Sequence, residues 1–248
     1  MAKYFSLDYL LGEFGLFSLP HILAILAIAV LNVLIVVWLR QTKAARKPAR
    51  YGLAGLLIAQ EISLHLWYAY TGQWSLGQSL PLHLCGAAVI LSVVVLVSKS
   101  YPLYELTYFW GFGGAIQALL TPNMTYGFPH YRFWQFFISH GAIVTASVLM
   151  TFVEGFRPTI RSIWKTFAIT NAYMVLVAGL NLLVGGNYLF ICYKPETPSL
   201  LDYLGPWPWY ILSLEAVGML SFFVYYAPFA LKDLLDRRGR ASAAVPKP

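Results

Sequence analysis

Charged residues are scarce in this chain, and their scarcity excludes an ordinary soluble globular protein. Asp, Glu, Lys and Arg together make up 11% of the 248 residues, whereas soluble domains carry about 25%. Hydrophobic residues reach 59%, and they are gathered into runs of about 20 residues, the length of helix that crosses a bilayer. The sequence therefore predicts an integral membrane protein.

Cysteine is also rare, and two cysteines are too few for a disulfide framework. Cys85 and Cys192 both map to the same half of the predicted spans, so a bridge between them is chemically permitted in an oxidising compartment. We do not expect that bridge, because Cys85 should point into a helix bundle.

Seven apolar runs predict an all-α, polytopic membrane helix bundle, because a spanning segment must satisfy its own backbone hydrogen bonds. They form a single seven-helix transmembrane domain over residues 1–240, followed by a disordered tail over residues 241–248. The predicted transmembrane helices are His21–Leu39, Gly52–Tyr70, Leu80–Val97, Leu103–Leu120, Phe133–Val153, Trp164–Val184 and Trp209–Leu231.

Basic residues cluster on one side of these spans, which predicts the orientation of the chain. Cytoplasmic loops carry an excess of Lys and Arg, so the N-terminus is expected outside and the C-terminus in the cytoplasm. The net charge of +7 then reflects juxtamembrane residues rather than a nucleic-acid partner. Of the 17 Lys and Arg residues, only Lys3, Arg132 and Lys194 lie on the side predicted to be outside. The other fourteen lie on the side predicted to be cytoplasmic: Arg40, Lys43, Arg46, Lys47, Arg50, Lys99, Arg157, Arg161, Lys165, Lys232, Arg237, Arg238, Arg240 and Lys247.

Glu61 and His65 are spaced i, i+4 in the second span and therefore share one helix face. A carboxylate that holds a histidine is the arrangement of an orienting group and a base in catalytic triads. The same pair would suit a proton relay or the surroundings of a metal, or a buried pair that fixes helix packing. A functional role is favoured, because a glutamate in the middle of the membrane is costly.

His83 and Cys85 open the third span, in the sequence Leu80-Pro81-Leu82-His83-Leu84-Cys85. Because Pro is favoured in the first turn of a helix, both residues are expected within the first two turns. Exposed N–H groups at that end could bind a developing oxyanion. Residues two apart on a regular helix point roughly 200° apart, so a base for Cys85 is expected from another helix, with His65 or His140 as candidates.

The remaining polar candidates lie in the outer half of the predicted bundle. Gln117 and His140 are expected to share one cavity with His65, His83 and Cys85, whereas His21 is expected to be a solvated interfacial histidine. The apolar loop from Gly185 to Pro208 is expected to fold back as a lid or interfacial segment. Substrate binding is predicted for Gln117, Arg132, Asn181, Asn187 and Lys194, although Asn181 would also suit an interhelical hydrogen bond.

Several strings in this sequence resemble those of bacterial YwaF-type integral membrane proteins, which are related to the animal transmembrane protein 164 family. The resemblance covers nearly the whole chain. It implies a multi-pass protein of the bacterial cell membrane and an acyltransferase that moves a fatty acyl chain between phospholipids. Cys85 would then be the nucleophile and a histidine the base. The strings lie at residues 80–85, 110–121, 133–141, 187–189, 194–199 and 204–210.

The leading hypothesis is accordingly a lipid-active acyltransferase or transacylase, or a lipid hydrolase if water is the acceptor. Membrane phospholipids would be its partners, with no cofactor and no metal, and the oligomeric state is left open. The alternative is a non-enzymatic transporter or binding protein that holds a small polar ligand or a proton in the same cavity. A haem or metal site is a third interpretation, but no paired spacing such as His-x-x-x-His supports it.

Overall fold

Seven helical rods make up the described part of the chain, as the apolar runs predict. The computed structural model describes residues 4–8, 12–195 and 200–243, and within these ranges it contains no β-sheet. The α-helices are α1 (Leu19–Gln41), α2 (Arg46–Tyr70), α3 (Leu84–Ser98), α4 (Tyr101–Trp110), α5 (Gln117–Leu120), α6 (Tyr131–Phe152), α7 (Ile160–Val184) and α8 (Trp209–Ala243). A π-helical segment, Gly111–Ile116, joins α4 to α5 without interruption, so these three elements form one rod.

The boundaries of the rods differ from the predicted spans mainly at their basic ends. α2 and α7 begin earlier than predicted, and a capping box formed by Thr159 and Ser162 fixes the start of α7. α8 continues to Ala243, three residues into the predicted disordered tail, while residues 244–248 lie outside the described ranges. Lys3 and Lys247 also lie outside them.

Among the described residues, four helices are long and apolar enough to cross a membrane: α1, α6, α7 and α8 up to Arg237. α3 is apolar but has only 15 residues. α1 exposes a row of apolar side chains that includes Leu23, Val30 and Leu34. Such a surface would be unfavourable in water and suits contact with lipid.

α6 lies at the centre of the bundle, where it contacts α1, α2, α3, α4 and the π-helical segment. Small residues allow neighbouring helices to approach it closely. At Gly141, for example, an added Cβ would lie 3.0 Å from side-chain atoms of Ile28. The buried core therefore follows α6, and the other rods are arranged around it.

The connections that carry most of the Lys and Arg residues lie together at one end of the bundle, as expected when successive helices cross the membrane in opposite directions. Glu154, which follows α6, forms ion pairs with Arg50 of α2 and with Lys99, which follows α3. Arg157 pairs with Asp233 of α8 at 2.8 Å. We call this the basic end. Which side of the membrane it faces stays a prediction.

Replacing Glu154 with glutamine should destabilise the protein by about 3 kcal/mol, because Arg50 would lose its buried counter-ion. The side chains of Arg50 and Glu154 are 8% and 7% exposed. The matched control is Asp233→Asn, which removes an ion pair whose members are both more than 40% exposed. The thermal midpoint in lipid nanodiscs should fall clearly for Glu154→Gln and little for Asp233→Asn. Equal shifts would contradict this role of Glu154.

Candidate functional site

A cavity of about 400 Å³ lies between the start of α3, the π-helical segment, α7 and the first half of α8. Its volume falls within the range of small-molecule sites, about 300–1,000 Å³. Most of its wall is apolar or aromatic. The polar and nucleophilic lining residues include His83, Cys85, Gln117, Thr170, Asn171, Tyr210, Glu215, Ser221 and Tyr225.

The start of α3 forms one wall of this cavity. This helix begins four residues later in the chain than predicted. The helix begins at Leu84, and His83 precedes it with an extended backbone (φ −64°, ψ 151°). Pro81 lies against the first turn, where an added Cβ at Gly86 would be 2.8 Å from Pro81 Cα. The expectation that both His83 and Cys85 belong to a regular helix is therefore wrong for His83, and both residues line the same cavity.

Tyrosine hydroxyls satisfy the backbone of the non-helical segment that leads into α3. Tyr173 of α7 donates a hydrogen bond to the carbonyl of Leu82 at 2.9 Å. The hydroxyl of Tyr188 accepts one from the N–H of Leu80 at 2.8 Å and donates to the carbonyl of Leu76 at 2.8 Å. Non-helical backbone at membrane depth is tolerated where protein surrounds it or where it lines a cavity. The segment before α3 meets both conditions.

The sulfur of Cys85 lies beside the glycine-rich π-helical segment. Three glycines of this segment approach three different helices: Gly111 approaches α6, Gly113 approaches α8, and Gly114 approaches α3. An added Cβ at Gly114 would be 3.8 Å from Cys85 Sγ. π-Helical turns occur frequently at functional sites. Gly114 is six residues before the end of α5, so the thiol is recessed by roughly 9 Å from that end of the rod.

The imidazole of His83 is held by the loop that covers the cavity. Its Nδ1 accepts a hydrogen bond from the N–H of Leu189 at 3.3 Å, and its ring contacts the rings of Tyr188 and Phe190, with centroids 5.2 and 5.1 Å away. In neutral imidazole one nitrogen accepts and the other donates. Nε2 is therefore the nitrogen that carries the proton and can donate a hydrogen bond.

The loop after α7 folds back over the bundle, as its apolar composition predicts. Asn181 holds it in place, because its Oδ1 accepts from the N–H of Tyr188 at 2.9 Å and its Nδ2 donates to the carbonyl of Tyr188 at 3.0 Å. Leu189, Phe190 and Ile191 consequently line the cavity. Asn181 is itself buried, so it positions the loop and does not line the cavity.

Asn187 and Lys194 also lie in this loop, but neither of them lines the cavity. Asn187 accepts hydrogen bonds from the N–H groups of Cys192 and Tyr193 and donates to the carbonyl of Tyr193. The ammonium of Lys194 lies 5.6 Å from the ring centre of Tyr210, a residue of the cavity wall. Cys85 and Cys192 are both free thiols, as expected.

Glu61 and His65 form the predicted pair but do not line the cavity. Glu61 Oε1 is 3.5 Å from His65 Nε2, and His65 Nδ1 accepts a hydrogen bond from Trp74 Nε1 at 3.1 Å. Their helix, α2, packs against α3 and α6, whereas the cavity is bounded by α7 and α8.

His140 and Arg132 of α6 also lie away from the cavity. The Nδ1 of His140 hydrogen-bonds the carbonyl of Phe136 at 2.8 Å, and its ring stacks on that of Phe136. Arg132 donates to the side chain of Gln135 and lies 5.6 Å from the ring centre of Trp67. The expectation of one cavity shared by five residues is thus met only by His83, Cys85 and Gln117.

Two features of the site and its surroundings differ from the sequence-based expectations. Glu215 lines the cavity and has no hydrogen bond or ion pair with another described residue, and a lone acid in an apolar span is the signal that could have placed it in the site. His21 is fully buried rather than solvated. Its Nε2 contacts the carbonyl of Leu119 at 2.8 Å, and its Nδ1 accepts from the N–H of Phe17.

Comparison with known proteins identifies the family to which this chain is similar. A sequence model described as the TMEM164 family matches residues 16–226, which confirms the predicted relationship to transmembrane protein 164; the narrower YwaF-type assignment stays a prediction. A protein of Treponema pallidum (strain Nichols) described as uncharacterized is 29% identical over 224 residues, which cover 88% of this chain and 91% of that protein. No solved structure matches the chain.

Proposed function

This chain belongs to the TMEM164 family, and we propose that it is a membrane-embedded acyltransferase that carries the acyl group on the sulfur of Cys85. The observation that supports this most directly is the position of Cys85, a free thiol in the wall of a recessed, largely apolar cavity. The apolar walls suit a fatty acyl chain, and the resemblance to transmembrane protein 164 implies a cysteine acyl-enzyme.

The reaction would run in two balanced steps. In the first, the sulfur of Cys85 attacks the ester carbonyl of a phospholipid, a C–S bond forms, the ester C–O bond breaks, and the thiol proton ends on the departing alcohol. In the second, the hydroxyl of an acceptor attacks the thioester, the C–S bond breaks, and the acceptor's proton returns to sulfur. Covalent catalysis of this kind replaces one difficult step with two easier ones.

His83 is the group that we assign to stabilise the oxyanion in both steps. Its Nδ1 is occupied by the N–H of Leu189, so Nε2 is left as a hydrogen-bond donor. The first turn of α3 adds N–H groups, since no side chain caps this helix. Hydrogen-bond donors of both kinds would stabilise the negative charge that develops on the carbonyl oxygen in the transition state. In this assignment His83 is a donor and not the base.

A pair of substitutions at His83 separates these two roles. We expect His83→Phe, which keeps a ring but has no donor, to lower the rate of acyl transfer by about 10²-fold, as for the loss of one oxyanion-hole donor. His83→Gln keeps an amide N–H and should retain most of the rate. Equal losses in the two variants would indicate a base and contradict the assignment.

We also place the protein in the cell membrane of a bacterium with the cavity in the outer half of the bilayer. The support is the distribution of basic residues, which lie at the end opposite the loop that covers the cavity. Phospholipids would then reach the cavity from within the bilayer.

Trapping the acyl-enzyme tests the proposal. The purified protein in nanodiscs would receive a phospholipid with an isotopically labelled acyl chain, be quenched in acid and be digested. Mass spectrometry should find the labelled acyl group on the peptide that contains Cys85, released by neutral hydroxylamine as a thioester should be. Cys192, the other free thiol, is the internal control. No acylation, or equal acylation of both cysteines, would overturn the mechanism.

A further inference from the structure

Among the described residues, Glu215 is the only Asp or Glu in the wall of the cavity that holds Cys85. It lies on the same face of α8 as Phe222, seven residues later, which also lines the cavity. Leu220 and Val224, on the opposite side of α8, are exposed, as suits contact with lipid. The carboxylate of Glu215 therefore faces the cavity rather than the lipid.

Glu215 and the thiol of Cys85 lie at about the same depth in the bundle. Glu215 is six residues after Trp209, where α8 begins, so it is recessed by roughly 9 Å from that end of the helix. The thiol lies beside Gly114, which is recessed by the same distance in its own rod. Because α8 packs directly on the π-helical segment, the acid and the thiol occupy neighbouring walls of one cavity at similar height.

The carboxylate of Glu215 has no protein partner within residues 4–8, 12–195 and 200–243. An unpaired acid in an apolar span is costly, and such residues are usually functional. Three other acids of the bundle are each held by a basic side chain: Glu61 by His65, Glu105 by Lys165 and Glu154 by Arg50. Glu215 therefore has no structural ion pair to explain it, and its carboxylate is free to act on what enters the cavity.

The other titratable groups of the cavity wall are poorly suited to accept a proton from the thiol. The Nδ1 of His83 already accepts a hydrogen bond from the N–H of Leu189. The hydroxyl of Tyr210 donates to a backbone carbonyl, and a phenol, as in Tyr210 and Tyr225, keeps its proton near neutral pH. A carboxylate accepts a proton and, once protonated, can donate it. Glu215 is thus the wall residue best suited to carry a proton.

We propose that Glu215 is the catalytic residue that carries the proton in both steps of acyl transfer. This inference rests on the proposed acyltransferase function. In the first step the carboxylate takes the proton of Cys85 as the C–S bond forms, and passes it to the alcohol oxygen as the ester C–O bond breaks. In the second step it takes the proton of the acceptor hydroxyl as the new C–O bond forms, and returns it to sulfur as the C–S bond breaks. Glu215 is ionised again after each step, so no further reactant is consumed.

Replacing Glu215 with glutamine keeps the size of the side chain but removes its ability to carry a proton. Acylation of Cys85 by a labelled phospholipid in nanodiscs, followed by mass spectrometry, should slow by about 10²-fold or more, as for the loss of a general acid–base group. Deacylation by a lysophospholipid should slow similarly. The thermal midpoint should not fall, because the carboxylate has no partner to lose. Native rates in Glu215→Gln would overturn the proposal.

Ser221→Ala is the control, and the choice of donor lipid excludes a second use of the acid. Ser221 also lines the cavity, but its hydroxyl donates to the carbonyl of Val217 in the same helix, so its loss should change neither step. Phosphatidylethanolamine carries an ammonium group and phosphatidylglycerol does not. A proton carrier serves both donors, so Glu215→Gln should slow them by equal factors. A loss confined to phosphatidylethanolamine, or an equal loss in Ser221→Ala, would contradict proton transfer by Glu215.

If Cys85 is never acylated, the proposed function fails, but proton transfer from Cys85 to Glu215 can still be judged. The thiolate is the form of cysteine that reacts with N-ethylmaleimide, and an added net charge is costly in an apolar cavity. A thiolate therefore forms more easily when its proton stays on a nearby carboxylate. N-ethylmaleimide should modify Cys85 more slowly in Glu215→Gln than in the native protein, with the rate at Cys192 unchanged. Equal or faster modification of Cys85 in the variant would sink the pairing of Glu215 with the thiol.

Discussion

Replacing Cys85 with alanine is expected to abolish acyl transfer while the bundle stays folded. Removal of the nucleophile from a covalent mechanism can lower a rate by about 10⁴-fold or more. Cys85 is only half-buried, and its sulfur borders a cavity, so the smaller side chain should disturb packing little. The measurement is exchange of a labelled acyl chain between phospholipids in nanodiscs, with the thermal midpoint recorded for the same samples.

Cys192→Ala is the matched control for this loss. Cys192 contributes its backbone N–H to Asn187, and alanine keeps that group. We therefore expect normal exchange and a normal thermal midpoint. Exchange that survives in Cys85→Ala would exclude the cysteine mechanism. Exchange lost equally in both variants would show that the thiols matter to the structure and not to the chemistry.

The second large effect is expected from Gly86→Ala, which should displace the start of α3 from the chain that precedes it. The new Cβ would lie 2.8 Å from Pro81 Cα and 3.1 Å from its carbonyl carbon. Both are backbone atoms, so relief requires the helix or the preceding segment to move. Misplacement of a catalytic group by about 1 Å can lower a rate by about 10²-fold. We expect a loss of that size in acyl exchange.

Gly179→Ala serves as the comparison for Gly86→Ala. Gly179 lies in α7, and an added Cβ there meets no atom within 4 Å. Alanine is a better helix former than glycine by roughly 1 kcal/mol, so this variant should be as active as the native protein and as stable or more so. Full activity in Gly86→Ala would show that the contact with Pro81 does not position Cys85.

The helices were predictable because they depend on local properties of the chain. Seven runs of about 20 apolar residues predicted seven spanning helices, and the described residues form seven helical rods. The distribution of Lys and Arg predicted which connections share an end, and the ion pairs of Glu154 with Arg50 and Lys99 confirm it. The i, i+4 spacing of Glu61 and His65 likewise predicted their contact.

Lateral position was not predictable in the same way. Depth in the membrane can be counted along a helix, but which helices face one another depends on packing between segments far apart in sequence. His65 and His140 were expected in the cavity by depth alone, yet α2 and α6 place them elsewhere. Glu215 was overlooked as a site residue for the same reason, since only the packing of α8 brings it to the cavity wall.

The sequence by itself determined that this is a helical membrane protein with a histidine and a cysteine close together at the start of an apolar run. Only the tertiary structure decided where these two side chains lie relative to each other. Tyr173 of α7 and Tyr188 hydrogen-bond the backbone that precedes α3, and the loop after α7 holds the imidazole. His83 therefore leaves the helix and joins Cys85 in one cavity, because contacts between distant segments outweigh the regular geometry that local sequence favours.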